Sequence, residues 1–144
     1  MARYTRALVS EGLFETGLKL VAEGNYYKYQ KDGKTRVRNM RGDIIEPEGL
    51  MLFTKSGNLP AGELMVNFDF HFVRPRGYQT EKPPEMLYKI IKMTTLPGDT
   101  IIDPFAGGGV SGEQAVVTNR FAHLIEIDSE AVLNHIIPKI KKVA

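Results

Sequence analysis

The sequence of 144 residues contains no cysteine. This absence excludes disulfide bonds, cysteine-ligated zinc sites and thiol catalysis. Histidine is scarce as well: His71, His123 and His135 are the three in the chain, and they lack the spacing that is typical of metal ligands. We therefore expect no metal site.

Long apolar runs are also missing. No stretch approaches the roughly 20 apolar residues that cross a bilayer, and the first residues lack the hydrophobic stretch of a signal peptide. We expect no membrane partner and a cytoplasmic location. The net charge of +2 is too small to predict a class of partner by itself.

The overall composition is that of an ordinary folded domain. Hydrophobic residues make up 42% of the chain and charged residues 25%, close to the average of soluble globular proteins. A chain of this length can bury one core without cross-links. We expect a single domain over residues 1–144, with a β-rich part at 1–77 and alternating helices and strands at 78–144.

In the β-rich part, residues 7–20 are predicted as an amphipathic helix that Gly12 and Gly17 weaken. Asp32-Gly33 is typical of a tight hairpin turn, because both turn positions tolerate positive φ. The strands predicted in this part comprise residues 26–30, 35–38, 50–54 and 64–73.

The residue pattern of the second part, residues 78–144, predicts an α/β unit. Pro83 and Pro84 are placed as at a helix start, and the helix must end by Pro97-Gly98. The strands predicted next are 100–103 and 121–127, and the helices pass through 113–116 and 132–136. A strand–loop–helix–strand order predicts parallel strands with a right-handed connection.

A glycine loop links the first of these strands to its helix. Gly107, Gly109 and Gly112 satisfy the pattern G-x-G-x-x-G, and Glu126 lies at the end of the next strand. Glycines let a ligand approach the backbone at a helix N-terminus, and a strand-end carboxylate can accept both hydroxyl protons of a ribose. The pattern predicts a cofactor that contains a nucleoside. The alternative is a tight glycine turn beside a solvent-facing glutamate.

The order of motifs around this loop is more specific than the glycine pattern alone. The element Thr80-Glu81-Lys82-Pro83 is followed by a helix, by the Gly98-Asp99 turn and by the loop Asp103-Pro104-Phe105-Ala106-Gly107. Over residues 78–136 this order resembles the amino-group DNA methyltransferases that modify adenine N6 or cytosine N4, in the permuted group whose cofactor part comes last. The resemblance implies a Rossmann-like S-adenosylmethionine-dependent methyltransferase fold, partial or minimal, with a β-rich N-terminal half.

The resemblance also implies S-adenosylmethionine as the cofactor and DNA as a partner. A nicotinamide dinucleotide is the alternative ligand, but the residues after Glu126 are too few for a second nucleotide-binding half. Asp103, Phe105 and Gly107 would border the methionine part of the cofactor, Thr80, Lys82 and Pro83 its carboxylate side, and Glu126 its ribose. The implied cofactor-binding residues are Thr80, Lys82, Pro83, Asp103, Phe105, Gly107, Gly109 and Glu126.

One motif of that family is missing. Its members carry a catalytic tetrapeptide, D/N/S-P-P-Y/F/W, and the only Pro-Pro here lies in Lys82-Pro83-Pro84-Glu85. The candidate catalytic residues are then Asp43, Asp69 and His71. Three functions stay open. The first is an enzyme with an unusual catalytic group. The second is a cofactor-binding subunit that needs a partner chain or a second copy to supply the missing motif, or a degenerate relative that only binds cofactor or DNA. The third is a protein that consumes the cofactor by another reaction.

Basic residues gather around the predicted hairpin, with three tyrosines at positions 26, 27 and 29 among them. Cations beside aromatic rings are typical of nucleic-acid binding, because the cations meet phosphates and the rings stack on bases. A solvated hairpin whose tyrosines cover the core is the alternative. The candidate DNA-binding residues are Lys28, Lys31, Lys34, Arg36, Arg38 and Arg41.

Overall fold

A computed structural model of the chain describes residues 12–13, 15–59, 69–73 and 81–144. The chain divides into two compact units, residues 1–73 and residues 74–144. The single domain expected from the sequence stays a prediction, and the two units are described one at a time.

The first unit contains a three-stranded sheet in the order β2-β1-β3. Its strands are β1 (Lys19–Tyr29), β2 (Glu48–Thr54) and β3 (Phe70–Val73). β2 pairs antiparallel with β1, whereas β3 pairs parallel to β1 and places Phe70 opposite Tyr26. Both of these aromatic side chains are buried, so the centre of the sheet forms the core of this unit. The described residues confirm the expected β-rich character.

The helix predicted over residues 7–20 is wrong at its C-terminal end. Residues 12, 13 and 15 are helical, but Lys19 and Leu20 already belong to β1. There they pair with Thr54 and Phe53 of β2. Pairing with a distant strand has overridden the local helical pattern, as tertiary context often does. Residues 7–11 and 14 of that helix, and residues 64–68 of the last predicted strand, lie outside the described residues.

The turn predicted at Asp32-Gly33 is confirmed. Gly33 has φ +65° and donates its N–H to the carbonyl of Gln30 at 2.9 Å. The Asp32 carboxylate accepts the N–H groups of Lys34 and Thr35 and the Thr35 hydroxyl, and the last of these bonds is the main reason why the pKa of Asp32 is lowered. The strand predicted at 35–38 is not continuous: this segment forms isolated bridges at residues 36 and 38.

The second unit has the predicted α/β order. Its elements are α1 (Pro84–Thr94), β4 (Thr100–Asp103), α2 (Val110–Val117), β5 (Phe121–Leu124), α3 (Ser129–Ala131), a π-helical turn (Val132–Ile136) and α4 (Ile137–Val143). β4 and β5 are parallel, from the pair Thr100↔Phe121 to the pair Asp103↔Leu124. The second strand is therefore three residues shorter than the 121–127 predicted, although Ile125 N–H still bonds to the Asp103 carbonyl at 2.9 Å.

The end of α1 is fixed to the end of α2 by Arg120. This buried side chain donates to the Thr95 carbonyl at 2.7 Å, to the Thr95 hydroxyl at 3.1 Å and to the Thr118 carbonyl. Carbonyls at a helix end lack partners within their own helix, so a buried guanidinium that reaches two helix ends satisfies several of them at once. The sequence analysis had given Arg120 no role.

The C-terminal helical segment packs directly on the glycine loop and α2. A Cβ atom added to Gly112 would lie 2.5 Å from Leu124 Cδ1 and 3.1 Å from Ile140 Cδ1, so the absence of a side chain lets α2 approach β5 and α4 closely. No helix in the described parts of the chain is long and apolar enough to cross a membrane.

Candidate cofactor cleft

The loop after β4 owes its shape to two glycines. Gly107 has φ +50° and Gly109, the residue before α2, has φ +78°. Gly109 donates its N–H to the Ala106 carbonyl at 2.8 Å, which closes the loop. A Cβ atom at Gly109 would lie 3.0 Å from Ile136 Cγ1 and 3.2 Å from Ile136 Cα. Glycine is therefore required there both by the left-handed backbone and by a close neighbour.

The Glu126 carboxylate is fixed by two backbone groups. Oε1 accepts the Asp128 N–H at 3.0 Å, and Oε2 accepts the Gly107 N–H at 2.7 Å. These two bonds, the Asp128 bond first, lower the pKa of Glu126. An ionised carboxylate offers about four lone-pair sites, so each oxygen can accept a further hydrogen bond. The geometry is suited to holding two neighbouring hydroxyl groups.

Asp103, at the carboxyl end of β4, is fixed in the same way. Oδ1 accepts the Phe105 N–H at 3.0 Å, and Oδ2 accepts the hydroxyl of buried Ser111 at 2.5 Å. The second bond joins the strand end to the first turn of α2. Ser111 was missed by the sequence analysis, which considered the glycines of this loop but not the hydroxyl among them.

A cleft of about 260 Å³ lies in front of this loop. Its described lining comprises Glu81, Lys82, Leu87, Asp103, Phe105, Ala106, Gly107, Gly108, Val110 and Ser111. Four predicted cofactor residues, at positions 82, 103, 105 and 107, therefore come together on one surface. The Gly107 bond places Glu126 beside the same cleft. Small-molecule pockets commonly measure about 300–1,000 Å³, so this cleft is slightly smaller than a typical complete ligand site.

Two other predicted cofactor residues are buried outside this lining. Pro83 is fully buried before α1, and Gly109 is buried against Ile136. Neither belongs to the described lining of the cleft. Thr80 lies outside the described residues.

Glu81, which lines the cleft, forms an ion pair with Lys139 of α4. The two side chains are 11% and 22% exposed respectively, and burial lowers the pKa of Lys139. Its members are 58 positions apart, so local residue spacing does not predict the pair. The pair connects the cleft wall to the C-terminal helix.

The aspartates considered as catalytic candidates both hold local structure. Asp69 Oδ1 accepts the backbone N–H of Asn25 at 2.7 Å and its side-chain amide at 3.1 Å. Asp43 is bonded through its backbone and carboxylate to the Asn39 side chain, at 3.0 and 3.3 Å. Both residues therefore have structural partners in the first unit, and their catalytic role stays a prediction.

The third candidate, His71, belongs to an aromatic cluster on the first sheet. Its ring stacks on Tyr27 with the centroids 4.7 Å apart, and Nδ1 lies 3.1 Å from the Tyr29 hydroxyl. The Arg36 guanidinium lies 4.9 Å from the Tyr27 ring centroid and donates to the Ile45 carbonyl at 2.9 Å. His71 therefore joins β3 to β1, and Arg36 attaches the turn segment, residues 30–45, to β1.

Two of the remaining candidate DNA-binding cations have partners in the structure. Lys28 forms an ion pair with Glu48, and Arg38 donates to the Gly42 carbonyl at 2.6 Å. The cations with exposed side chains on the turn segment are Lys31, Lys34, Arg38 and Arg41. In the described parts of the chain, no group of three or more histidine, aspartate or glutamate side chains could hold a metal ion.

The family profile of a DNA methylase, N6_N4_Mtase, matches residues 24–137. The chain belongs to this DNA methylase family. The matched region begins within β1 and continues through the glycine loop to the start of α4, so it contains both compact units in part. The resemblance drawn from residues 78–136 is confirmed.

Curated members of the family match a shorter segment. The chain is 40% identical over 55 residues to the DNA adenine methyltransferase YhdJ of Escherichia coli (strain K12), which covers 38% of this chain and 19% of YhdJ. It is 36% identical over 55 residues to the type II methyltransferase M.BglII of Bacillus subtilis, covering 38% of this chain and 15% of that enzyme. The matches thus span less than a fifth of these relatives.

Solved structures extend the likeness to nearly the whole chain. The M1.HpyAVI-SAM complex superposes with a TM-score of 0.68 at 22% identity, covering 94% of this chain and 67% of that one. TTHA0409 of Thermus thermophilus, complexed with S-adenosyl-L-methionine, gives 0.63 at 15% identity, covering 90% of this chain and 56% of that one. The Rossmann-like methyltransferase fold expected from the sequence is confirmed.

Proposed function

We propose that this DNA methylase family member binds S-adenosylmethionine in the cleft in front of β4 and serves methyl transfer to an exocyclic amine of DNA, adenine N6 or cytosine N4. One observation carries the proposal: Lys82, Asp103, Phe105 and Gly107 line a single cleft, with Glu126 hydrogen-bonded beside it. Two solved neighbours of the same fold are complexes with this cofactor.

The residues of the cleft fit the charges of such a cofactor. Lys82 supplies a cation for a carboxylate, and Asp103 supplies an anion for an ammonium group. The ionised Glu126 carboxylate accepts ribose hydroxyls, and its two backbone N–H partners, which lower its pKa, favour this charged form. Phe105 is 88% exposed, so its apolar ring can contact the methionine part of the cofactor. When bound, the cofactor supplies an activated methyl group on a sulfonium.

The DNA contact is assigned to the exposed cations of the turn segment. Lys31, Lys34, Arg38 and Arg41 are exposed, and Arg38 also donates to the Gly42 carbonyl. Lys28 forms an ion pair with Glu48, and Arg36 donates to the Ile45 carbonyl. Exposed cations bind phosphates without sequence preference and release counterions as they do so. A DNA substrate is consistent with the cytoplasmic location predicted from the sequence.

The missing tetrapeptide supports a second candidate, a cofactor-binding subunit that needs a partner for catalysis. Asp43, Asp69 and His71 all have structural partners in the first unit. A chain that binds the cofactor but lacks the group that orients the target amine would transfer no methyl group by itself.

The two candidates are separated by measuring binding and transfer in the same preparation. The purified chain is titrated with S-adenosylmethionine in a calorimeter, then incubated with methyl-labelled cofactor and mixed-sequence DNA. We expect the wild-type chain to bind the cofactor. Asp103→Asn should raise the dissociation constant about ten-fold or more, since hydrogen bonds to a charged group contribute about 1.5–3 kcal/mol. Asp32→Asn, in the turn of the first unit, is the matched control.

The possible results of this experiment distinguish an enzyme from a partner-dependent subunit. Labelled DNA would establish the chain as an enzyme, and cofactor binding without labelled DNA would establish the partner-dependent subunit. No cofactor binding by the folded wild-type chain would refute the assignment of the cleft.

A further inference from the structure

The turn segment contains a second turn, at residues 39–42. Gly42 donates its backbone N–H to the Asn39 carbonyl at 3.0 Å, and Gly42 has φ +88°. Asparagine at the first position and glycine at the fourth are typical of a turn that joins two antiparallel segments, because glycine adopts the left-handed backbone without strain. Met40 and Arg41 are therefore the two central residues of this turn.

Several hydrogen bonds fix the shape of the second turn. Asn39 Oδ1 accepts the backbone N–H of Arg41 at 2.9 Å and that of Asp43 at 3.0 Å. The Asn39 backbone N–H donates to the Asp43 carbonyl at 2.9 Å. Arg38 donates to the Gly42 carbonyl at 2.6 Å, and an antiparallel bridge at Arg38 closes the base of the turn. The tip is thus ordered in the free protein, so a partner that binds it has little backbone left to order.

Met40 stands at the tip of this turn. It is 107% exposed, the highest value among the large apolar side chains of the described residues. A single exposed apolar side chain is ordinary by itself. Here the side chain is held on an ordered turn, and the exposed cations Arg38 and Arg41 lie on either side of it in the sequence. An apolar tip between two cations fits a partner that has apolar surface between anionic groups.

The charge of the surrounding residues indicates which partner this is. Residues 28–43 contain six cations and two carboxylates, a net charge of +4 in a chain whose total is +2. In duplex DNA the stacked bases lie between two lines of phosphates, and the phosphates attract such a segment. Proteins that kink DNA insert apolar side chains, methionine among them, between neighbouring base pairs.

We propose that Met40 is a wedge that enters the base stack of a DNA duplex, while Arg38 and Arg41 contact the adjacent phosphates. Methionine is unbranched and flexible, so it can fill an irregular gap between base pairs. The Arg38 guanidinium has five N–H donors, so its bond to the Gly42 carbonyl leaves donors for a phosphate. The wedge rests on the proposed function, because that function makes DNA the partner of the turn segment.

The test compares two short duplexes of the same mixed sequence, one intact and one with a single abasic site at its centre. The abasic site leaves a gap in the stack, so a wedge enters it without unstacking a base pair. Fluorescence anisotropy gives the dissociation constant of the full 144-residue chain for each duplex. We expect the chain to bind the gapped duplex about ten-fold more tightly or better, because unstacking one step opposes binding to the intact duplex.

Three substitutions at Met40 separate an apolar wedge from a contact with the outside of the duplex. Met40→Leu keeps an apolar side chain of similar volume and should keep the preference for the gap. Met40→Ala shortens the side chain and Met40→Gln makes it polar at similar length. Both should bring the two dissociation constants within about two-fold of each other. Since Met40 is fully exposed, none of these changes should disturb folding.

Two controls accompany these variants. Leu133→Ala shortens an apolar side chain that is 62% exposed in the second unit, and it should change neither dissociation constant. Lys34→Gln removes an exposed cation from the first turn of the segment. It should make the slope of log K against log salt shallower by about 0.9 and leave the preference for the gap in place. Met40→Ala should leave that slope unchanged, because methionine carries no charge.

The results distinguish the wedge from the DNA contact on which it rests. DNA binding with the same preference for the gap in wild type and Met40→Ala would overturn the wedge and support the DNA contact. No binding of either duplex would refute the DNA contact and the wedge together. Self-association of the chain that Met40→Ala abolishes, measured by sedimentation velocity, would assign Met40 to a contact with a second copy and would also overturn the wedge.

Discussion

The backbone N–H of Gly107 donates a hydrogen bond of 2.7 Å to Glu126 Oε2. This bond joins the loop after β4 to the residue that follows β5 by two positions. The carboxylate assigned to the ribose is therefore oriented by the loop assigned to the methionine part. The two sides of the proposed cofactor site form one hydrogen-bonded unit. A substitution on either side should therefore alter the geometry of the other.

Glu126→Gln tests this unit. The amide side chain can accept through one atom only, so it loses one backbone bond and the charge that favours hydroxyl donors. We expect the dissociation constant for S-adenosylmethionine, measured by calorimetry, to rise about ten-fold or more. Glu85→Gln, on the exposed first turn of α1, should leave it unchanged. Unaltered binding by Glu126→Gln would contradict the assignment of this carboxylate.

Acid should remove the structural contribution of Glu126. Its pKa in the folded protein lies below the ordinary value of 4.5, because the Asp128 and Gly107 N–H groups favour the ionised form. A depressed folded pKa contributes stability above the unfolded pKa, and this stability is lost as the pH falls through the folded pKa. The difference in unfolding free energy between wild type and Glu126→Gln should be constant from pH 7 to about 5 and shrink below it. A difference that stays constant down to pH 3 would contradict this prediction.

Two glycine substitutions separate backbone strain from crowding. Gly98 and Gly109 both have positive φ, at +90° and +78°, but a Cβ atom meets nothing within 4 Å at Gly98 and lies 3.2 Å from Ile136 Cα at Gly109. Gly98→Ala should cost about 1–2 kcal/mol of unfolding free energy in urea titrations, the cost of the left-handed backbone. Gly109→Ala should cost at least about 1 kcal/mol more, because the neighbouring backbone must move. Equal losses would show that Ile136 accommodates the methyl group.

The exposed cations of the turn segment should set the salt dependence of DNA binding. Replacing Lys31, Lys34 and Arg41 with glutamine should weaken binding of a short duplex, measured by fluorescence anisotropy. The slope of log K against log salt should become shallower by about 0.9 for each phosphate contact removed. Glutamine at Lys141 and Lys142, which are exposed at the end of α4, should change the slope less. Equal effects would argue against a specific role of the turn.

Local patterns predicted most of the second unit. Pro84 begins α1, Gly98 turns the chain into β4, and the glycine loop precedes α2, because each of these features depends on backbone preferences of neighbouring residues. The first unit was less predictable. Lys19 and Leu20 follow a helical pattern but form a strand, since their partners lie far along the chain, in β2.

The sequence by itself determined the family and the order of elements around the loop, and it predicted the members of the proposed cofactor set, since these depend on residue types at short spacing. The tertiary structure decided which members line the cleft. It buried Pro83 and Gly109, and it added Ser111 and the Glu81–Lys139 pair. Each of these outcomes depends on packing between residues distant in the chain, and local spacing carries no information on such packing.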